Sequence, residues 1–334
     1  MKLDFVHSQA SHCETGATKN MLRYFGIDMS EPMTYGIGAG LYFAHLPMLK
    51  MNHIPVTTFR TLPGLVFSRA CKNLGVEYEK KTFKDPKKAM SELDRILEQG
   101  LPVGLQVGVY HLPFFPPEFR MHYNMHNMSV IGKEDDTYFI SDPMMEQIVT
   151  ITYEDLMRVR YAKGPFAPEG KMYYITKAPQ GTIDFRKPIV TGIKKSLFEM
   201  TGQYFWMIGV FGIRFLARRL RTWPDKVGEK RATQYLVQLI QMLEEIGTGG
   251  AGYRYIFGAF LRESSEVLQQ DWLLPVSVEM GEVASRWREF SHTGAHFIKH
   301  HTDAPKTFNL LADMLLDIAD REASVYKKLK KISL

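Results

Sequence analysis

Apolar positions along this chain follow two patterns, and the change falls at residues 178–188, a proline-flanked stretch with charged residues that has the composition of a linker. Before it, short β-rich runs alternate with amphipathic segments. Ala17, Met21, Leu22 and Phe25 share one helical face and Gly26 stops it, which predicts a helix opening near Cys13. Strands are predicted at 54–60, 76–82, 101–109, 148–152 and 171–176, with helices at 63–74, at 86–98 behind the cap Asp85, and at 153–160. Two β-rich runs, 127–132 and 137–141, flank the polar turn Lys133-Glu134-Asp135-Asp136 and predict a hairpin. Beyond the linker everything has helical spacing. The expected fold class is α+β: a domain with an antiparallel sheet over residues 1–178, then an all-α domain over 189–334.

Within the second half, 202–216 is nearly all apolar, interrupted by Gln203 and Arg214. It is too short to span a bilayer, which takes about 20 apolar residues. Three readings follow: burial between domains, an apolar groove for an acyl chain, or peripheral membrane contact assisted by Arg214, Arg218, Arg219 and Arg221. Helices are predicted at 235–246 and 253–268, and from Phe308 the residues Leu311, Leu315, Ile318, Val325 and Leu329 form one docking stripe.

Composition narrows the class. Hydrophobic content of 45% and charged content of 23% belong to a globular protein, and the 334 residues suffice for two domains. With only Cys13 and Cys71, a disulfide framework is improbable and a reducing compartment fits; no signal-length apolar run precedes Cys13, so the expected location is the cytoplasm. A net charge of +6 suits acidic partners, but the basic residues are dispersed and no nucleic-acid motif accompanies them, so nucleic acid is not an expected partner.

The candidate chemistry begins at Cys13. In the opening turn of a helix a thiol faces unpaired N–H groups and the positive dipole end, which can bring its pKa from about 8.5 to roughly 3.5–7.5. In the hairpin, His126 opens one strand and Asp142 follows the other. Antiparallel pairing sets them opposite or diagonal, on the face shared by Met128, Val130, Tyr138 and Ile140. A nucleophile, a base and an orienting carboxylate are therefore available. His122 is the rival base but lacks a carboxylate at hairpin register; His12 is expected to be exposed or capping, and Cys71 to be packing.

Cys13 before a helix, His126 opening a strand and Asp142-Pro143 closing the next resemble the papain-like thiol enzymes, especially the bacteriocin-processing leader peptidases. The stretches HCETGATKNMLRYFG, SEPMTYGIGAGLYF and GTGGAGYRYIFGAFLRE are, more narrowly, similar to the butirosin biosynthesis protein H family. That resemblance implies a papain-like N-terminal domain, a helical C-terminal domain, and acyl transfer from an acyl carrier protein or acyl-CoA thioester to a small-molecule amine or hydroxyl. It implies no cofactor beyond the phosphopantetheine that the donor carries. The related peptidases place a glutamine six residues before the cysteine as oxyanion donor. Here that position is His7, with Gln9 nearby, so the Cys13 N–H and either His7 or Gln9 are the candidates. The alternatives are a cysteine peptidase or amidase using the same three residues, and a non-catalytic lipid or carrier-protein binding module.

Three motifs remain. Gly36, Gly38 and Gly40 suggest close backbone approach, either an internal packing turn or a substrate channel. Gly247, Gly249, Gly250 and Gly252 before Arg254 could form a nest for a phosphate or carboxylate, or simply a connection between helices. His292, His296 and His300, with His301 adjacent, recur at four-residue spacing but lack a glutamate or cysteine partner, so no metal is expected.

Overall fold

The computed structural model describes residues 2–51, 53–202, 205–246, 249–300 and 303–334. In chain order the elements are α1 (Cys13–Tyr24), α2 (Glu31–Ile37), β1 (Leu41–Met51), β2 (Ile54–Arg60), α3 (Leu65–Asn73), β3 (Glu77–Lys81) and α4 (Pro86–Glu98). Then come β4 (Val103–Val107), β5 (His126–Glu134), β6 (Thr137–Ser141), β7 (Val149–Thr152), α5 (Tyr153–Arg160) and β8 (Met172–Lys177). Only helices and short helical turns follow: α6 (Arg186–Leu197), α7 (Gly209–Arg221), α8 (Trp223–Val227), α9 (Glu229–Glu244), α10 (Arg254–Leu268), α11 (Leu273–His300) and α12 (Ala304–Leu329). The architecture is the expected α+β one.

Two compact units result, and they are not consecutive in sequence. One comprises the chain up to Thr34 together with Pro63–Ile183; the other comprises Tyr35–Leu62 and Asp184–Leu334. The expected division at 1–178 and 189–334 therefore misassigns the segment that forms β1 and β2. The reason is packing: these strands form a two-stranded sheet of their own and their apolar side joins the helices, where Phe43 and Phe59 lie 6.1 and 5.4 Å from the Trp287 ring. Strand β1 was not foreseen, because Pro47 and an exposed end interrupt its alternation.

In the first unit, six strands form a sheet in the order β3-β8-β4-β5-β6-β7, antiparallel at every pairing. Period-two alternation sends Val103, Leu105, Met128, Val130 and Ile140 to one face, where they meet Leu93 and Ile96 of α4 and Leu156 of α5. Glu134 pairs with Thr137, so Asp135 and Asp136 make the hairpin turn, and a bulge between Val130 and Gly132 shifts the register by one. Helix α4 starts as expected, Asp85 accepting from the N–H groups of Lys87 and Lys88.

The second unit is built around α7, α10, α11 and α12. Much of the apolar 202–216 stretch becomes the first half of α7, with Val210, Ile213 and Leu216 buried inside the unit; Gln203 lies outside the described residues. Phe205, Trp206 and Phe211 stay half-exposed. Arg214 and Arg221, named above for a membrane contact, are already paired with Asp320 and Asp313 of α12. Among the described residues no helix is long and apolar enough to cross a membrane. Gly36 serves tight packing, since a Cβ there would stand 2.1 Å from the Phe260 ring.

Candidate active site

The site is assembled by the segment that precedes α1. Residues 7–10 are fastened onto the turn after β6: His7 bonds through Nδ1 to Ser141 Oγ at 2.8 Å and through Nε2 to the Met145 carbonyl at 3.0 Å, and the Ala10 N–H donates to the Pro143 carbonyl at 3.0 Å. Asn20, about two helical turns inside α1, donates to the Ser8 carbonyl at 2.9 Å and accepts from the Ser8 hydroxyl at 2.7 Å. Glu31 takes the N–H groups of Ser11 and His12 at 3.0 and 2.8 Å. The backbone arrives extended at His12 and turns helical at Cys13. The sulfur thus sits at the open end of a helix, where N–H groups without intrahelical acceptors favour an anion.

Asp142 follows β6 and lies diagonal to His126 at the start of β5. Its Oδ2 accepts from His126 Nε2 at 2.7 Å, while Oδ1 accepts from the Met144 N–H at 2.9 Å, which fixes the carboxylate plane. The Cys13 side chain is a second hydrogen-bonding partner of the imidazole. Cys13, His126 and Asp142 are 4%, 3% and 0% exposed. Burial opposes charge on the ring, but the Asp142 carboxylate and the Cys13 sulfur outweigh it and raise His126 to about 10. The Phe115 ring, edge-on at 5.3 Å from the imidazole, walls the site from the segment that carries Pro113, Pro116 and Pro117.

The neighbouring candidates are used otherwise. His122 is exposed and stacks on Tyr110 at 4.1 Å. His12 is fully buried rather than exposed, held by Thr15 Oγ1 at 2.6 Å. Cys71 is buried in α3 and burial pushes its thiol up to about 12, the opposite of an activated nucleophile. His7, a candidate oxyanion donor, has both ring nitrogens committed to the Asp142 turn, so it has no N–H left for an oxyanion. Gln9 is exposed on the same segment and is the remaining side-chain candidate beside the Cys13 N–H.

The nest at Gly250 and Arg254 also needs correcting. Arg254 is fully buried, with Nε on Glu322 Oε1 at 2.8 Å, Nη2 on Glu322 Oε2 at 3.2 Å and Nη1 on the Gly252 carbonyl at 2.7 Å, so its charge is spent inside the helical unit. Next to Gly250, the Ala251 N–H already donates to the Glu244 carboxylate at 3.1 Å. An internal carboxylate stands where an anion could have bound, which favours the other reading, a connection between helices; Gly247 lies outside the described residues. His292, His296 and His300 lie exposed on α11, and the rings of the last two meet tilted at 4.5 Å; His301 is outside the described residues. Among the described residues no group of three or more His, Cys, Asp or Glu is placed to hold a metal ion.

Gly16 and Glu31 are the site residues that sequence reasoning missed. The signal for Gly16 was a glycine inside an otherwise good helix. A Cβ there would stand 2.5 Å from Ala10 Cβ and 2.6 Å from Pro143 Cβ, so α1 can approach the Asp142-Pro143 turn only without a side chain. Gly16→Ala is expected to cost about 1–3 kcal/mol by overpacking and to slow Cys13 alkylation as α1 is pushed off that turn. Urea denaturation and iodoacetamide kinetics check this; a variant as stable and as reactive as the parent would contradict it.

The geometry can be set beside known proteins. Residues 12–143 match the family described as Butirosin biosynthesis protein H, N-terminal, and residues 154–329 match Domain of unknown function (DUF4872). A crystal structure described as a C39-like peptidase from Bacillus anthracis is 17% identical with a TM-score of 0.38, the alignment spanning 54% of this chain and 100% of that one. Comparison with curated proteins finds no match. More than half of the chain lying within the second family match, and the first containing Cys13, His126 and Asp142, the chain belongs to the DUF4872 family and carries a butirosin biosynthesis protein H-type N-terminal domain.

Proposed function

We propose that the protein is a thiol acyltransferase that moves an acyl group from a carrier-protein or CoA thioester through Cys13 to an amine or hydroxyl. The observation that carries this is the buried chain of hydrogen bonds from Cys13 through His126 to Asp142. The Cys13 thiolate attacks the thioester carbonyl, the carbon–sulfur bond to the donor breaks, and the departing thiol takes the proton held by His126. The acceptor then attacks the acyl-enzyme and gives its proton to His126, which restores the thiolate. Asp142 holds the ring in register and stabilises its charge. A cysteine only 4% exposed suits a donor presented on a slim phosphopantetheine arm better than a peptide main chain, which needs an open cleft. The net charge of +6 favours approach of an acidic carrier protein. Incubation with an acyl thioester and an amine should yield amide in excess of free acid; cleavage of peptides with no turnover of thioesters would reverse the assignment to a peptidase.

A pH dependence follows from the direction of the His126 shift. A raised imidazole pKa keeps the ring protonated, and the thiolate partnered, until the pH climbs through about 10. Cys13 alkylation by iodoacetamide is therefore expected to be flat from about pH 6 to about pH 9, and in His126→Ala to rise with pH, because the thiol has lost its partner cation. A wild-type rate that climbs through that same range would remove the ion pair from the mechanism.

A further inference from the structure

The arginines of α7 are not equivalent. Arg214 and Arg221 each meet a carboxylate of α12, whereas Arg219 meets none among the described residues, and its Nε is buried without a hydrogen-bond partner. On the same face of α7 Phe215 lies one turn before Arg219, and Trp223 opens α8 just beyond it; both are buried. The ring of His45, from β1, lies 5.7 Å from Phe215 and 6.2 Å from Trp223, and so faces the stretch of chain between them that carries Arg219.

His45 is 1% exposed. Its Nδ1 is 2.9 Å from Thr57 Oγ1, the hydroxyl of its cross-strand neighbour, and its Nε2 is buried with no partner. Burial first, and the charge of Arg219 second, lower the imidazole to about 4, so the ring is neutral at neutral pH. When the Thr57 hydroxyl donates to Nδ1, the neutral ring carries its hydrogen on Nε2. Two buried N–H groups without acceptors, one of them on a cation, then belong to two elements packed on each other in one unit, an arrangement that calls for an explanation. Flanking arginines with carboxylate partners show that the helix can supply them where a pairing is structural.

We propose that His45 and Arg219 form a binding site for the oxyanion group of a small molecule, a carboxylate or a phosphate, between the aromatic walls of Phe215 and Trp223. One oxygen accepts from Arg219 Nε and the other from His45 Nε2, a charge-assisted pairing across two elements of one unit. Arg219 is partly exposed, so the ligand reaches the imidazole past the guanidinium. The site shares no residue with Cys13, His126 and Asp142, and its failure would leave the acyl-transfer reading where it stands.

The test follows the imidazole Cε1–H resonances of the full chain by NMR, with His45 assigned through His45→Gln. Sodium acetate and sodium phosphate are titrated at constant ionic strength against chloride. The His45 signal is expected to move saturably with at least one of the two oxyanions and not with chloride; acetate alone would assign a carboxylate ligand, phosphate alone a phosphate. Arg219→Gln, at a partly exposed position and with its fold checked by thermal unfolding, should raise the half-saturating concentration at least tenfold. A response no larger than that to chloride, or one unchanged in Arg219→Gln, would mean that only water fills the space and would overturn the proposal.

Discussion

Cys13→Ser lowers acyl transfer by about 10³-fold or more while leaving the fold intact. The substitution replaces sulfur by oxygen at a buried position of nearly equal shape, so packing against His126 is kept. What is lost is ionisation: a hydroxyl does not give up its proton to the imidazole in the resting enzyme as a thiol at a helix mouth does. Single-turnover kinetics with an acyl thioester measure the loss, and circular dichroism checks the fold. Cys71→Ser is the matched control, because a thiol held up at about 12 takes no part, and its rate should equal that of the parent. A Cys13→Ser rate within tenfold of the parent would place the nucleophile elsewhere.

The largest stability effect is expected at Arg254→Met. The pair with Glu322 is fully buried, and the same carboxylate accepts from Trp287 Nε1 at 2.8 Å and from the Tyr326 hydroxyl at 2.9 Å. Removing the guanidinium strands a charge in the core, which costs about 3–5 kcal/mol. Adding Glu322→Gln should return part of that loss, since a neutral amide oxygen still accepts from Trp287 and leaves no buried charge. Urea unfolding of the two variants measures both terms. Loss of less than about 1 kcal/mol in Arg254→Met would show that the guanidinium is free to serve a ligand, as the glycine-rich segment first suggested.

The residues that could be read in advance are those whose partners are local or set by one turn. The α1 stripe of Ala17, Met21 and Leu22 and the Asp85 cap depend on neighbours within a few residues, and all were legible. His126 and Asp142 were legible because one hairpin turn fixes their register, although the bulge near Ile131 makes them diagonal neighbours. Partners far apart in sequence were invisible. Nothing local announces that Arg254 meets Glu322, 68 positions away, that His7 fastens onto Met145, or that β1 and β2 pack with helices that begin more than a hundred residues later. In each case the missing information was tertiary: a buried charge needs a countercharge, and an unpaired apolar strand face needs a cover.

The most direct measurement is the intact mass of the protein after brief mixing with an acyl thioester and no acceptor. A gain equal to the acyl group, located on Cys13 by peptide mapping and discharged when an amine is added, is the expected result. An acyl group found on another residue, or folded wild-type protein that gains no mass from any carrier or CoA thioester tried, would contradict acyl transfer through this sulfur.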